Sequence, residues 1–239
     1  MHVIIIGGNG LIGSSISRFL HDVNKKFIIC DKKKKKLKDN FLYLDINNEK
    51  SFQKLFANLK RKKIKVNCVI NCSYPRPVKF DKNPLNISKK NFLNYFETHL
   101  WAFNSATRAF SEYFKKNNIE GHIINFSSIY GSTLPDFSIY DDFKTFTSFE
   151  YFFSKNNITL FTKYYAKYLK KFKIRVNTIS PGGVNFKLKR KFVNKYSSKT
   201  ISKKMLNKDD LNGVVKFLLS SDAKHITGQN FIVDDGFTL

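Results

Sequence analysis

The chain has 239 residues, 42% hydrophobic and 26% charged, with 43 Lys and Arg against 18 Asp and Glu and a formal net charge of +25. That length and balance suit a folded chain with a sizeable core and exclude a disordered one. No apolar run approaches the roughly 20 residues of a membrane-spanning helix, and a strand-like run begins at residue 2, so neither a membrane partner nor a cleavable leader is expected and the expected compartment is the cytoplasm.

The charge invites a nucleic-acid reading, but its make-up argues against one. Six of the cations are Arg and 37 are Lys. Arg, with its planar fork, is what a phosphate-reading surface enriches. Lys, Asn, Ile and Phe have A/T-rich codons and are abundant, whereas Ala occurs six times. A coding bias therefore accounts for the Lys excess, and no nucleic-acid partner is expected. Cys30, Cys68 and Cys72 lie in or beside apolar runs without metal-ligand spacing. They read as reduced core residues, and no metal is expected.

In chain order, residues 3–6 form a short buried-strand pattern. Gly-rich sequence follows, then a helix pattern through Ile12, Ile16, Phe19 and Leu20. Strand patterns recur at 27–30 and 41–44, and Phe52, Leu55, Phe56 and Leu59 mark a helix face. A fourth strand at 68–70 precedes a long helix pattern over 91–116. A fifth strand at 122–126, a helix over 151–171, a sixth strand at 174–179, a helix near 209–219 and a last strand at 230–233 complete the series. This alternation predicts an α/β fold with a single doubly wound parallel sheet in a Rossmann-type three-layer α/β/α arrangement. No linker composition divides the chain, so one domain over 1–239 is expected. The lysine run at 32–36 reads as a solvated loop.

The sequence GGNGLIG at 7–13 directly follows the first strand and opens the first helix. Glycines there permit a tight turn and close backbone approach to a pyrophosphate seated on the helix N-terminus. Asp31 ends the second strand, 18 residues beyond Gly13. A carboxylate at that place accepts from ribose hydroxyls and repels a 2′-phosphate, which favours NAD over NADP. Lys32 and Lys33 offset part of that repulsion, so NADP stays open, as does a simpler role for Asp31 as a loop cap.

IINFSSIYG at 123–131, YFFSK at 151–155 and RVNTISPGG at 175–183 together resemble the short-chain dehydrogenase/reductases, over essentially the whole chain. By matching position, the resemblance implies Ser128 as the catalytic Ser, Tyr151 as the acid/base and Lys155 as its partner. It also implies cofactor contacts from Gly7, Asn9, Gly10, Leu11, Ile12 and Gly13, from Asp31, Asp45, Ile46 and Asn71, from Tyr151 and Lys155, and from Pro181, Gly182 and Val184. Tyr and Lys four apart share a helix face. A free Tyr titrates near ~10, and a neighbouring ammonium favours its phenolate. Tyr151 then exchanges a proton with an alcohol or carbonyl while Ser128 holds the substrate oxygen.

A second Tyr-x-x-x-Lys occurs at Tyr140 and Lys144. It lies 12 residues after Ser128, where Tyr151 lies 23 after. Lys155 to Pro181 spans 26 residues, enough for one helix, a turn and a strand, and apolar spacing continues through Ile158, Phe161, Tyr165 and Tyr168. The residues after Lys144 make a poor helix start. Tyr151 is therefore the expected acid/base, and 132–150 an expanded loop over the substrate pocket.

Two departures from the family pattern stand out. Leu11 occupies the middle glycine position of the short branch's turn, and His99 stands where the long helix normally offers an Asn. The backbone at His99 keeps its role, or the ring faces substrate, or His99 is a core residue. NCSYPRP at 71–77, the expanded loop and the terminal GQNFIVDDGFTL resemble a subgroup of bacterial surface-sugar and flagellin-modification oxidoreductases. That implies hydroxyl/keto interconversion on a sugar or nucleotide-sugar, near nonulosonic acid synthesis. Arg76 is a candidate clamp for an anionic group; Tyr74, Tyr130 and Tyr140 are candidate sugar contacts, with His99. The resemblance also implies a homodimer or homotetramer. Alternatives are a 3-oxoacyl-carrier-protein-type reductase and a non-catalytic dinucleotide-binding protein.

Overall fold

The computed structural model describes residues 2–33, 40–75, 83–141 and 147–239. The elements are β1 (His2–Ile6), α1 (Leu11–Asp22), β2 (Phe27–Asp31), β3 (Phe41–Tyr43), α2 (Glu49–Arg61), β4 (Val66–Asn71), α3 (Lys89–Tyr95), α4 (Trp101–Lys116), β5 (His122–Phe126), α5 (Phe149–Leu169), β6 (Arg175–Pro181), α6 (Arg190–Ser197), α7 (Asn212–Leu219) and β7 (Asn230–Val233). The strands form one sheet in the order β3-β2-β1-β4-β5-β6-β7, with every pairing parallel. The expected doubly wound sheet is present.

The strands are apolar at successive positions because both faces are covered. Alternation along β1 shows it. Ile4 and Ile6 pack toward Leu55 and Leu59 of α2 and Phe110 and Phe114 of α4. Val3 and Ile5 pack toward Ile16 and Leu20 of α1 and Val215 and Leu218 of α7. Chain order reverses between β1 and β4, so their carboxyl ends open a crevice, the usual ligand position in such sheets. Gly7, Asp31, Asn71 and Pro181 all stand at or just beyond strand carboxyl ends on that side.

The long helix expected over 91–116 is not uniform. Residues Phe96–Leu100 form a π turn between α3 and α4. The helix expected to begin at Tyr151 begins at Phe149, because the Ser148 hydroxyl caps it by accepting from the Tyr151 backbone N–H at 3.2 Å. The expanded loop therefore ends at Ser148, two residues short of the expected boundary. Helix α6 had no counterpart among the expected elements.

Candidate active site

The cofactor turn is built as a cradle. Gly7 has φ +72°, and a Cβ there would come within 2.8 Å of the Ser73 backbone. A Cβ on Gly13 would sit 2.7 Å from Gly8 Cα and closer still to Gly7 O. The N-cap of α1 is Gly10, which offers no side chain to the first helical N–H groups. Uncapped N–H groups beside a side-chain-free turn fit a pyrophosphate. Leu11 at the middle position starts α1 without closing this cradle.

Asp31 stands at the end of β2. Its Oδ2 accepts from the Asn9 backbone N–H at 3.2 Å and its Oδ1 from Lys33 at 3.4 Å. Asp31 thus caps the turn, the simpler of the two roles its sequence position left open. Asp45 accepts from the Asn47 N–H at 3.0 Å and pairs with Lys32 Nζ at 3.0 Å. Ile46 is buried and its carbonyl receives the Ser105 hydroxyl at 2.6 Å. Buried Asn71 ends β4, and its Oδ1 accepts the Ser73 hydroxyl at 2.6 Å.

The three matched catalytic residues converge beyond β5 and on the first turns of α5. Ser128 is buried and caps a short 3-10 turn, Ile129–Gly131. Lys155 is buried on α5, one turn beyond Tyr151, and its Nζ donates to Phe126 O at 3.3 Å. The Ser127 hydroxyl donates to the Lys155 carbonyl at 2.6 Å, tying the end of β5 to α5. Burial pulls the Lys155 ammonium down to about 7.

Ser128, Tyr151, Pro181, Gly182, Val184 and Ile12 line one cavity of about 520 Å³. Two of the three catalytic candidates, Ser128 and Tyr151, therefore share one chamber with Pro181, Gly182 and Val184, while Lys155 is buried outside its lining. Tyr74, Tyr130 and Tyr140 line it too. The Tyr140 hydroxyl bonds Tyr130 at 2.9 Å and Thr147 at 2.5 Å, and its backbone is extended. Tyr140 is thus a wall of the chamber and not the helical partner of a lysine; Lys144 and Arg76 lie outside the described residues. Burial pushes the Tyr130 hydroxyl far up, so Tyr130 stays protonated.

The expanded loop is clasped to α6. Asp141 pairs with Lys191 and Lys195 at 3.1 and 3.0 Å, and Asp136 pairs with Lys199 at 2.5 Å. Through this clasp α6 brings Phe192 and Tyr196 to the chamber, where the Tyr196 hydroxyl oxygen accepts from the Gly183 backbone N–H at 2.6 Å. Sequence reasoning missed both rings. Their i,i+4 spacing was the signal that marks them as one face.

His99 is fully buried in the π turn. Burial, then the nearby Lys155 charge, hold it neutral. Its Nδ1 donates to Pro75 O at 3.2 Å. The ring lies against Tyr74, Tyr95 and Phe103 and is absent from the chamber's lining. Of the three roles left open for His99, the core reading describes the burial of its ring, but the ring is satisfied at Nδ1 only: Nε2 has no hydrogen-bond partner among the described residues.

A family model described as enoyl-(acyl carrier protein) reductase matches residues 19–238. Post-translational flagellin modification protein A of Campylobacter coli is 31% identical over 99% of this chain and 98% of its own length. This chain is a short-chain dehydrogenase/reductase. A crystal structure of a short-chain dehydrogenase from Leptospira borgpetersenii serovar Hardjo-bovis, with bound NAD+, superposes on this dehydrogenase/reductase with a TM-score of 0.89. That match is 31% identical and covers 100% of this chain and 92% of the other. Cyclopentanol dehydrogenase of Comamonas testosteroni is 25% identical over 92% of this chain and 86% of its own length. The chain is therefore an oxidoreductase. Among the described residues no helix is long and apolar enough to cross a membrane, and no cluster of three or more His, Cys, Asp or Glu could hold a metal.

Proposed function

We propose that this oxidoreductase interconverts a hydroxyl and a keto group on a sugar or nucleotide-sugar, using NAD, in the modification of flagellin or another bacterial surface glycan. The observation that carries the sugar reading is the chamber. Its described lining holds Tyr74, Tyr130, Tyr140 and Tyr196 beside Ser127 and Ser128, and no charged side chain. Aromatic faces with hydroxyl groups suit an uncharged polyhydroxylated ring. An anionic group of the substrate would then lie outside this lining. The near-full-length similarity to the flagellin modification protein supports the biological setting. Three free cysteines suit the cytoplasm.

When bound, the nicotinamide supplies or accepts the hydride. The turn at Gly7, Gly10 and Gly13 would hold the pyrophosphate and Asp31 the adenosine ribose, and Pro181, Gly182 and Val184 would border the nicotinamide end. Ser128 donates to the substrate oxygen and steadies its developing charge. Tyr151 exchanges the proton with that oxygen. Lys155 offsets negative charge on the Tyr151 oxygen and would hold the nicotinamide ribose.

The test is turnover of a panel of nucleotide-sugars and nonulosonic-acid precursors, in both directions, beside a 3-oxoacyl thioester. Turnover of the sugars is expected. Turnover of the thioester alone would replace this reading with the acyl-carrier one that the matched family description suggests.

Asp31 sets the cofactor preference. NADH is expected to bind on the order of tenfold more tightly than NADPH, the worth of one hydrogen bond to a charged group. Fluorescence titration measures both, and Asp31→Ser should narrow the gap. Tighter NADPH binding by the unaltered protein would remove Asp31 from this role.

Two copies pair through α5 in this reading. Phe153, Leu160, Tyr164 and Tyr168 are exposed large side chains along that helix, and their spacing places them on one stripe. Light scattering should show an assembly for the unaltered chain and a smaller species for a Leu160→Glu, Tyr164→Glu variant. An unchanged mass would place the contact elsewhere.

A further inference from the structure

A buried ammonium ordinarily needs a carboxylate partner. Lys155 has none among the described residues. Aromatic faces surround it instead. Its Nζ lies 5.3 Å from the ring centroid of Tyr74, 5.3 Å from that of Phe103 and 5.6 Å from that of Tyr151. The rings come from three places: the segment after β4, helix α4 and helix α5. A cation within about 6 Å of a ring centroid is attracted by the negative face of the ring.

We propose that Tyr74 and Phe103 complete an aromatic cage that keeps Lys155 charged, and that Tyr74 is a positioning residue for the Tyr151–Lys155 pair. Tyr74 touches both members. Its ring meets Tyr151 edge-on at 5.5 Å while facing the Lys155 ammonium. It is held there from the π turn and α3. The His99 ring packs edge-on against it at 4.9 Å, and its hydroxyl lies 3.3 Å from that of Tyr95. His99 also fixes the next residue through Pro75 O. The buried His99 thereby acquires a purpose: it braces the wall of the cage.

The cage opposes burial. Desolvation favours the neutral amine, whereas a ring face favours the ammonium. The titratable groups around Lys155 do not replace it. From the segment after β4 comes Cys72, whose thiol burial keeps protonated. From the π turn comes His99, held neutral. From α5 comes Tyr151 itself. Among the described residues, the ring faces and one backbone carbonyl are what the ammonium meets.

The meaning of the cage for turnover rests on the assignment of Lys155 proposed above; the charge state of Lys155 does not, and it is measured without substrate. The full chain is labelled with 13C at lysine Cε, and the Lys155 signal is identified by its loss in Lys155→Arg. Its chemical shift is then followed against pH. Tyr74→Leu and Phe103→Leu are each expected to move the Lys155 titration downward by about one pH unit, the shift that a single cation–π contact supports. Tyr74→Phe keeps the ring face and should leave the titration in place. Titrations unchanged in both Leu variants would overturn the cage. So would a Tyr74→Phe shift as large as that of Tyr74→Leu, because it would assign the effect to the hydroxyl. If Tyr74→Leu fails to fold, Phe103→Leu decides. A Tyr151→Phe protein that retains turnover would strike the catalytic assignment alone and leave these titrations standing.

Discussion

Replacing Tyr151 with Phe should lower turnover about a thousandfold, within the range ascribed to a positioned general acid or base, while NADH affinity stays nearly unchanged. The substitution removes one oxygen and keeps the ring that meets Tyr74 and Tyr130, so the chamber wall survives. Lys155 keeps its bond to Phe126 O, and the glycine turn is untouched. A fall in kcat without a change in cofactor binding is the signature of a group that acts on the reacting atoms. Tyr140→Phe provides the contrast. It releases the hydroxyls of Tyr130 and Thr147 and should act mainly on KM. The two variants are compared by steady-state kinetics on the substrate found in the panel, with cofactor binding read by fluorescence. The opposite pattern, with Tyr140→Phe inactive and Tyr151→Phe active, would move the chemistry to the loop.

Gly13→Ala should damage the fold and the cofactor turn together. The new Cβ would sit 2.7 Å from Gly8 Cα and nearer still to Gly7 O, and both obstacles are backbone. No rotamer change relieves such a contact. Either the turn after β1 opens or α1 shifts away from it. Overpacking of this kind costs roughly 1–3 kcal/mol, and the displaced turn no longer lets a pyrophosphate reach the helical N–H groups. The expected result is a lower unfolding midpoint in urea together with loss of measurable NADH binding. Gly10→Ala is the control, because its Cβ would meet only Gly7 O at 3.1 Å and φ is −73°. Equal effects from the two variants would remove the steric argument.

Much of this site was legible because its parts lie next to readable strands. The glycine turn, Asp31, Ser128 and Pro181 each directly follow an apolar run, and strand ends in a parallel sheet mark the ligand side. That the long helix carries Tyr151 and not Tyr140 was also legible, since helix length and apolar spacing follow one and not the other. What stayed hidden was set by packing across the chain. The start of α5 depends on a Ser148 cap that sits inside a stretch of poor helix formers. Phe192 and Tyr196 reach the chamber because Asp136 and Asp141 meet lysines of the α6 region far along the chain. His99 could not be resolved from sequence, because its role depends on which ring and which carbonyl it meets. Tyr74 was read as a sugar contact; the fold also turns its face to Lys155.

The π turn at Phe96–Leu100 bears on how this helix can change over evolutionary time. A π turn holds one more residue than an α-helical turn, and one residue advances an α-helix by about 100°. Helix α3 and α4 are thus out of phase along one continuous rod. Phe92 and Phe96 meet Phe149 and Phe153 of α5, while Phe110 and Phe114 of α4 lie under the sheet. No amino-acid exchange converts one phase into the other. A three-base insertion or deletion does so in a single event, and it would turn His99 and Tyr95 away from Tyr74 together. The number of residues in this segment, more than the identity of any one of them, sets which faces of α3 and α4 meet α5 and the sheet.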